Sequence, residues 1–171
     1  MPRLRSAIAA TITATLAFAC TPGPEGQMSS SQSTATFDAS PSRVVEVLTG
    51  TLQQRQALSA EMVPGLRTSL LESLQSGREA QLSSRSMSVG AEELAGLVPE
   101  DVRRFIGDEG GRYVLEMTIE PAPDGGTRLT VNPVIIATVG GGEGPLGGRP
   151  LPSNGSLERA IFDALRGRLG G

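Results

Sequence analysis

The sequence predicts an α+β fold, in which amphipathic helices cover a small antiparallel sheet within a single globular domain at 34–171. Residues 112–139 hold two stretches of alternating apolar and polar side chains around a turn-forming segment, the pattern of a β-hairpin. Segments before and after this hairpin place apolar residues three and four positions apart, as a helix packed on one side requires. The length of this region is typical of one domain.

The first predicted elements are a strand and a helix. Thr34 to Asp38 alternates weakly and is predicted as a strand. Ser40 and Pro41 then mark a helix start, with Ser40 as the N-cap and Pro41 at the first helical position. We predict a helix over 41–56. The apolar residues on one side of it are Val44, Val45, Val47, Leu48 and Leu52.

A second apolar stripe advances by four residues at each step. Its members are Leu58, Met62, Leu66, Leu70 and Leu74. Pro64 and Gly65 interrupt it, so we predict an irregular join followed by a helix over 64–76 that ends at Gly77. We interpret the stripe as core, with a groove for a partner as the alternative.

A short strand is predicted within 79–89, and two short helices are predicted within 91–106, divided at Val98 and Pro99. The hairpin follows. Its first strand, Arg112 to Glu120, directs Tyr113, Leu115, Met117 and Ile119 to one side and Glu116, Thr118 and Glu120 to the other.

The second hairpin strand is predicted over Thr127 to Val139, after the turn-rich segment 121–126. It places Leu129, Val131 and Ile135 on one face and Arg128, Thr130 and Asn132 on the other. Pro133 cannot donate a ladder hydrogen bond, so the strand is predicted to lie at an edge near that residue or to bulge there.

A glycine- and proline-rich loop is predicted over 140–152, followed by a closing helix that starts near Asn154. The helix carries Leu157, Ile161, Leu165 and Leu169 on one side, and Asn154 is interpreted as its cap. Gly142 to Gly147 satisfies the pattern G-x-G-x-x-G, but the prolines after it prevent the helix whose N-terminus would hold a pyrophosphate. We therefore expect a surface loop and no bound nucleotide.

The N-terminus has the parts of an export signal. Arg3 and Arg5 precede an apolar stretch over 7–19, which is shorter than the roughly 20 residues needed to span a bilayer. Ala17, Phe18 and Ala19 form a small-x-small cleavage pattern immediately before Cys20, the only cysteine. The alternative is ordinary signal cleavage at the same bond, which would leave a free exported protein.

This arrangement resembles the lipobox of bacterial lipoproteins, although Ala17 stands where that family prefers leucine. The resemblance implies removal of 1–19, between Ala19 and Cys20, and attachment of acyl chains, palmitate among them, to Cys20. Thr21, in place of aspartate, implies sorting to the periplasmic face of the outer membrane in a diderm host. Residues 20–33 are small and polar and are predicted as a flexible tether.

Charge excludes some partners. Loss of Arg3 and Arg5 with the leader lowers the basic residues from 15, all arginine, to 13 against 18 acidic ones, a net charge of −5. A modestly acidic domain without a basic stripe does not favour nucleic acid. It does not favour electrostatic docking on anionic lipid either.

Composition limits the available chemistry. The chain has no histidine and no lysine, so a Ser-His-Asp or Cys-His arrangement, a Schiff-base lysine or a His/Cys zinc site cannot be assembled. Carboxylates remain, as the pairs Glu92-Glu93, Glu100-Asp101 and Asp108-Glu109, which we interpret as solvated surface. The aromatic residues Phe37, Phe105, Tyr113 and Phe162 occupy positions typical of a core rather than of a sugar site. We therefore expect no catalytic residues, no metal and no cofactor.

The element order is similar to that of helix-grip domains in some envelope-assembly lipoproteins. The expected function is a membrane-anchored, non-catalytic module that binds another envelope protein or stabilises an assembly. The first alternative is a carrier or sensor that holds a small apolar ligand between helices and sheet. A carboxylate-dependent hydrolase is a more distant alternative.

Overall fold

The computed structural model describes residues 33–138 and 148–170. Within them the predicted α+β class is confirmed. The helices are α1 (Pro41–Gln54), α2 (Val63–Gln75), α3 (Ala91–Leu97), the 3₁₀ helix Glu100–Phe105 and α4 (Ser156–Leu169). The strands are β1 (Ser33–Phe37), β2 (Ala80–Ser83), β3 (Met87–Val89), β4 (Gly111–Pro121), β5 (Thr127–Thr138) and β6 (Gly148–Leu151).

The six strands form one antiparallel sheet with the long hairpin at its centre. Strands β4 and β5 pair without interruption from Gly111 opposite Ala137 to Pro121 opposite Thr127. Strands β1 and β6 share the other side of β5, one after the other, and β2 and β3 share the other side of β4 in the same way. The predicted hairpin is therefore confirmed as the framework of the domain.

Helices cover one face of this sheet. Alternate residues of the central strands, such as Leu129 on β5 and Ile119 on β4, have no exposed surface and pack against apolar residues of α1 and α4. The face of α1 predicted from the sequence is buried at every position. Phe37 and Phe162 join β1 to α4 with ring centroids 6.4 Å apart. One continuous core therefore lies between the helices and the sheet.

Pro133 lies in an interior strand, and β5 has no bulge there. Its cross-strand neighbour, Leu115, donates its N–H to Ser84 Oγ and accepts a bond from the Ser84 N–H, both at 2.9 Å. Since both polar backbone atoms of Leu115 point away from β5, the pair Leu115–Pro133 is not hydrogen bonded and the Pro133 nitrogen faces the interval between β1 and β6. The predicted edge is therefore correct locally. Beside Pro133, strand β5 is paired with β4 on one side and with no described strand on the other, because β1 ends and β6 has not yet begun.

The loop predicted over 140–152 is wrong at its C-terminal end, where β6 forms. Pro150 is opposite Ile136, three residues beyond Pro133, so its nitrogen points away from β5 and no ladder bond is lost. Because β6 is an edge strand, its other side needs no partner. The short strand predicted within 79–89 is in fact two strands, separated by Ser84 to Ser86.

Two further predictions need correction. Met62, assigned to the core stripe, is 62% exposed, because α2 starts only at Val63 and Met62 lies at its N-terminus, outside the packed side. The cap of α4 is Gly155, with φ of 84°, rather than Asn154. Asn154 supports the start of α4 from one position earlier, since its Oδ1 accepts the N–H of Ser156 at 3.0 Å.

Candidate functional site

The second face of the sheet carries no helix among the described residues. Its side chains are those that alternate with the core positions of four strands, and we call this surface the open face. The members used below are Thr34, Thr36, Gln81, Ser83, Glu116, Thr118, Glu120, Arg128, Thr130 and Asn132. Apart from the alkyl parts of these side chains, this part of the surface is polar.

The strand register arranges these residues in rows. One row crosses four strands through Thr34, Thr130, Thr118 and Gln81. The row on one side of it contains Asn132, Glu116 and Ser83, and the row on the other side contains Thr36, Arg128 and Glu120. Successive rows are about 7 Å apart and neighbouring strands about 4.8 Å apart, so the open face presents a regular grid of polar groups.

Hydrogen bonds across the strands hold this grid. The hydroxyls of Thr34 and Thr130 are 3.0 Å apart, and Asn132 Nδ2 donates to Glu116 Oε2 at 3.0 Å. Arg128 Nη1 lies 3.6 Å from Glu120 Oε2. These contacts fix side-chain positions on an exposed surface, which lowers the entropy lost when a partner binds.

The middle of the open face is an open depression of about 410 Å³. It is lined by side chains of the first two rows, including Gln81, Ser83, Thr118 and Thr130, with Glu116 and Asn132 at one end. Asn132 Oδ1 is buried and accepts no hydrogen bond. The carboxylate of Glu116 has no cation within salt-bridge distance in the described chain.

The strand ends beyond this depression are less polar. Val134 and Val114 form the next row, and Pro133, Val134, Pro150 and Pro152 border a small apolar hollow of about 110 Å³ between β1 and β6. Because the Pro133 nitrogen faces this interval, the backbone there offers a carbonyl oxygen but no N–H. The interval is therefore poorly suited to pairing with an added strand.

The three predicted acidic pairs do not form one site. Glu92 and Glu93 occupy the first turn of α3, Glu100 and Asp101 the first turn of the 3₁₀ helix, and 108–109 the loop before β4. All six side chains are exposed. Across residues 33–138 and 148–170, no group of three or more acidic or other metal-binding side chains converges on a point.

A carboxylate that the sequence analysis did not single out is fully buried. Glu158, in the first turn of α4, has no exposed surface and accepts a hydrogen bond from Ser153 Oγ at 2.9 Å. A carboxylate near a helix N-terminus is stabilised by the helix dipole. The sequence did contain a signal, since Phe162 and Leu165, four and seven positions later, extend the buried side of α4 to position 158.

Among the described residues, Tyr113 is the one whose pKa departs clearly from its ordinary value. Burial raises the pKa of its phenol, the negative charge of Glu93 raises it further, and Arg55 acts in the opposite direction. Tyr113 faces the helices from β4 and is half-buried. Phe105, also predicted as core, is partly exposed, and the guanidinium groups of Arg149 and Arg104 lie 3.5 and 4.8 Å from its ring centroid.

The space between helices and sheet is occupied by side chains. Leu48 and Leu52 of α1, Ile161 and Leu165 of α4, and Leu129 of β5 have 0 to 1% exposed surface. A side chain lining a cavity large enough for water would keep accessible surface, so no such space adjoins these residues. The space between the helices and the sheet is therefore a packed core around these five residues.

Several predicted features lie outside the described residues. They are Ala19 and Cys20, the tether to position 32, and the glycine-rich motif Gly142 to Gly147. No helix of the described chain is long and apolar enough to cross a bilayer. Comparison with protein-family models, with curated proteins and with solved structures finds no match to this chain.

Proposed function

We propose that this chain is a membrane-anchored, non-catalytic module that binds another protein of the cell envelope through the open face. The observation that carries the proposal is the grid of polar side chains in register across β1, β5, β4 and β2, on a face that no described helix covers. Four of its side chains are already held in two hydrogen-bonded pairs, Thr34 with Thr130 and Asn132 with Glu116.

The anchor supports the same proposal. Acylation at Cys20 would hold the domain by two or more chains, enough for stable membrane attachment. The first described residue, Ser33, follows thirteen positions later, and a flexible segment of that length spans about 20 Å. The partner would therefore lie at, or close to, the membrane surface.

The face is favoured over the sheet edges as the contact. At the β2–β3 edge the chain is interrupted at Ser84, whose backbone and hydroxyl are bonded to Leu115. The free edge of β1 is only five residues long. Short and interrupted edges resist strand addition, whereas the grid offers a broad and continuous polar surface.

The anchor is tested by palmitate labelling of cells that produce the chain, and the open face by cross-linking. We expect label on the intact chain and none on the Cys20→Ser variant. A photoreactive residue in place of Thr118 or Thr130 should cross-link a defined peptide of one envelope protein, identified by mass spectrometry. The same residue in place of Thr68, exposed on α2, should not.

Thr118→Arg and Thr130→Arg test the binding itself, with Thr68→Arg as the matched control. We expect the two open-face variants to reduce recovery of the cross-linked partner by tenfold or more, because a long cation would project from the grid. Equal recovery from all three variants would contradict the proposal. A stoichiometric lipid or metabolite bound non-covalently to the natively purified protein would instead favour a carrier.

A further inference from the structure

We propose that the depression in the open face receives an arginine or lysine side chain of the bound protein, with Glu116 as its counter-ion. This inference rests on the proposed function and states the chemistry of the partner surface. It assigns a specificity role to Glu116, Asn132 and Gln81, the charged and amide side chains of the depression.

The first argument is charge. Glu116 is exposed and is the only charged residue in its row, where its neighbours across the strands are Asn132 and Ser83. Arg128 is four strand positions from the Asn132 level, roughly 14 Å away, and it pairs with Glu120. Arg112 lies four positions from Glu116 in the other direction along β4. Within residues 33–138 and 148–170 no arginine lies within salt-bridge distance of Glu116, and a partner can supply the counter-ion.

The second argument is hydrogen-bond polarity. Asn132 uses its amide N–H on Glu116, and Gln81 Nε2 donates to Glu79 Oε1 at 2.8 Å. Asn132 Oδ1 is buried and has no donor in the described chain, so Asn132 acts by positioning the Glu116 carboxylate. The exposed charged and amide acceptors of the depression are the second oxygen of Glu116 and the side-chain oxygen of Gln81.

An acceptor-rich depression selects a donor-rich ligand. A guanidinium has five N–H donors and no acceptor, and an ammonium has three donors. The planar guanidinium can also bond a carboxylate through two parallel N–H groups, which favours arginine over lysine. An anionic partner group would meet the Glu116 carboxylate directly and be repelled.

Other ligand classes fit less well. Sugars are commonly held against aromatic rings, and the described aromatic residues lie on the helix side of the sheet or at the end of the 3₁₀ helix rather than on the grid. The processed chain would carry a net charge of −5, which attracts a basic surface over longer range. The charge of Glu116 and the net charge of the processed chain therefore both favour a basic partner.

The test uses the full acylated protein in membranes, with the photoreactive residue at Thr118 as probe. Glu116→Gln removes the charge but keeps an oxygen to accept from Asn132, so the grid should stay intact. Glu72→Gln, at an exposed position of α2 away from the open face, is the matched control. We expect Glu116→Gln to reduce the cross-link at least tenfold, Glu72→Gln to change it less than twofold, and the captured peptide to contain arginine or lysine.

A charge exchange completes the test. Glu116→Arg combined with an acidic residue at the captured basic position should restore the cross-link that each change alone removes. If a peptide is captured but contains no basic residue, or Glu116→Gln has no effect, the inference is overturned and the proposed function stands. If nothing is captured at either open-face position, the proposed function itself fails.

Discussion

The two faces of the sheet are built from the same strands but differ in almost every property. On β5, Leu129 is buried without exposed surface while the next residue, Thr130, lies in the solvent-facing grid. Because side chains alternate, one register sets both faces at once. The difference indicates that the helix side holds the fold together, whereas the open face can be varied for recognition at little cost in stability.

The largest effect is expected when the helix side and the open face are compared by replacing two neighbouring residues of β5. Leu129→Ala should lower the free energy of unfolding by about 2 to 5 kcal/mol, because it leaves a cavity among packed side chains. Thr130→Val keeps the branched shape and loses only an exposed hydroxyl contact, so a change of about 0.5 kcal/mol or less is expected. Denaturant unfolding of the two variants measures both, and comparable losses would contradict this difference between the two faces.

A smaller effect is expected where the sheet meets α3. A Cβ at Gly111 would lie 2.2 Å from the Ile136 carbonyl oxygen and 2.9 Å from Leu94 Cδ2. Gly111→Ala should therefore destabilise the domain by about 1 to 3 kcal/mol.

The control for Gly111→Ala is Gly96→Ala, since nothing lies within 4 Å of a Cβ at Gly96 on the surface of α3. That change should be neutral or stabilise by up to about 1 kcal/mol, because alanine favours the helix. Thermal unfolding distinguishes the two, and a tolerated alanine at position 111 would mean that the Ile136 backbone of β5 and the Leu94 side chain of α3 are not held as closely against β4 as the structure shows.

The smallest effect depends on pH. Because burial first, and Glu93 second, raise the pKa of Tyr113, the folded state retains its proton more strongly than the unfolded state. The resulting stability is fully present below the unfolded value of about 10 and is lost as pH rises through the folded value. Tyr113→Phe should make unfolding less sensitive to alkali. Parallel pH profiles of the two proteins would contradict this.

Alternation predicted the centre of the fold well. In 112–120 the apolar side chains at 113, 115, 117 and 119 face the helices, and Val114 is the one apolar residue on the other face. The buried side of α1 followed equally directly from helical spacing. Because such patterns involve only residues close in the sequence, they can be recognised without knowing which strands pair.

Features that depend on tertiary neighbours were not predicted. The glycine and the proline of β6 are typical of a loop, which is why a loop was predicted there. The pairing of β6 with β5 is visible only in the register of the sheet. The outward residues Glu116, Thr118, Thr130 and Asn132 were identified from the sequence, but the rows they form required the strand order. Likewise, nothing local shows that Glu116 lacks a cation, because that depends on which arginines the sheet places nearby.

Among the described strands, β1 waits longest for its partner. Its residue Thr34 meets Thr130 across a sequence separation of 96 residues. At a synthesis rate of about 5 to 20 residues per second, the N-terminal strand waits roughly 5 to 20 s before its partner exists. During that time the β4–β5 hairpin has not formed either, so the sheet assembles outward from a late hairpin. We therefore expect this chain to fold more slowly than a helical chain of similar length, because its pairing of β1 with β5 is non-local.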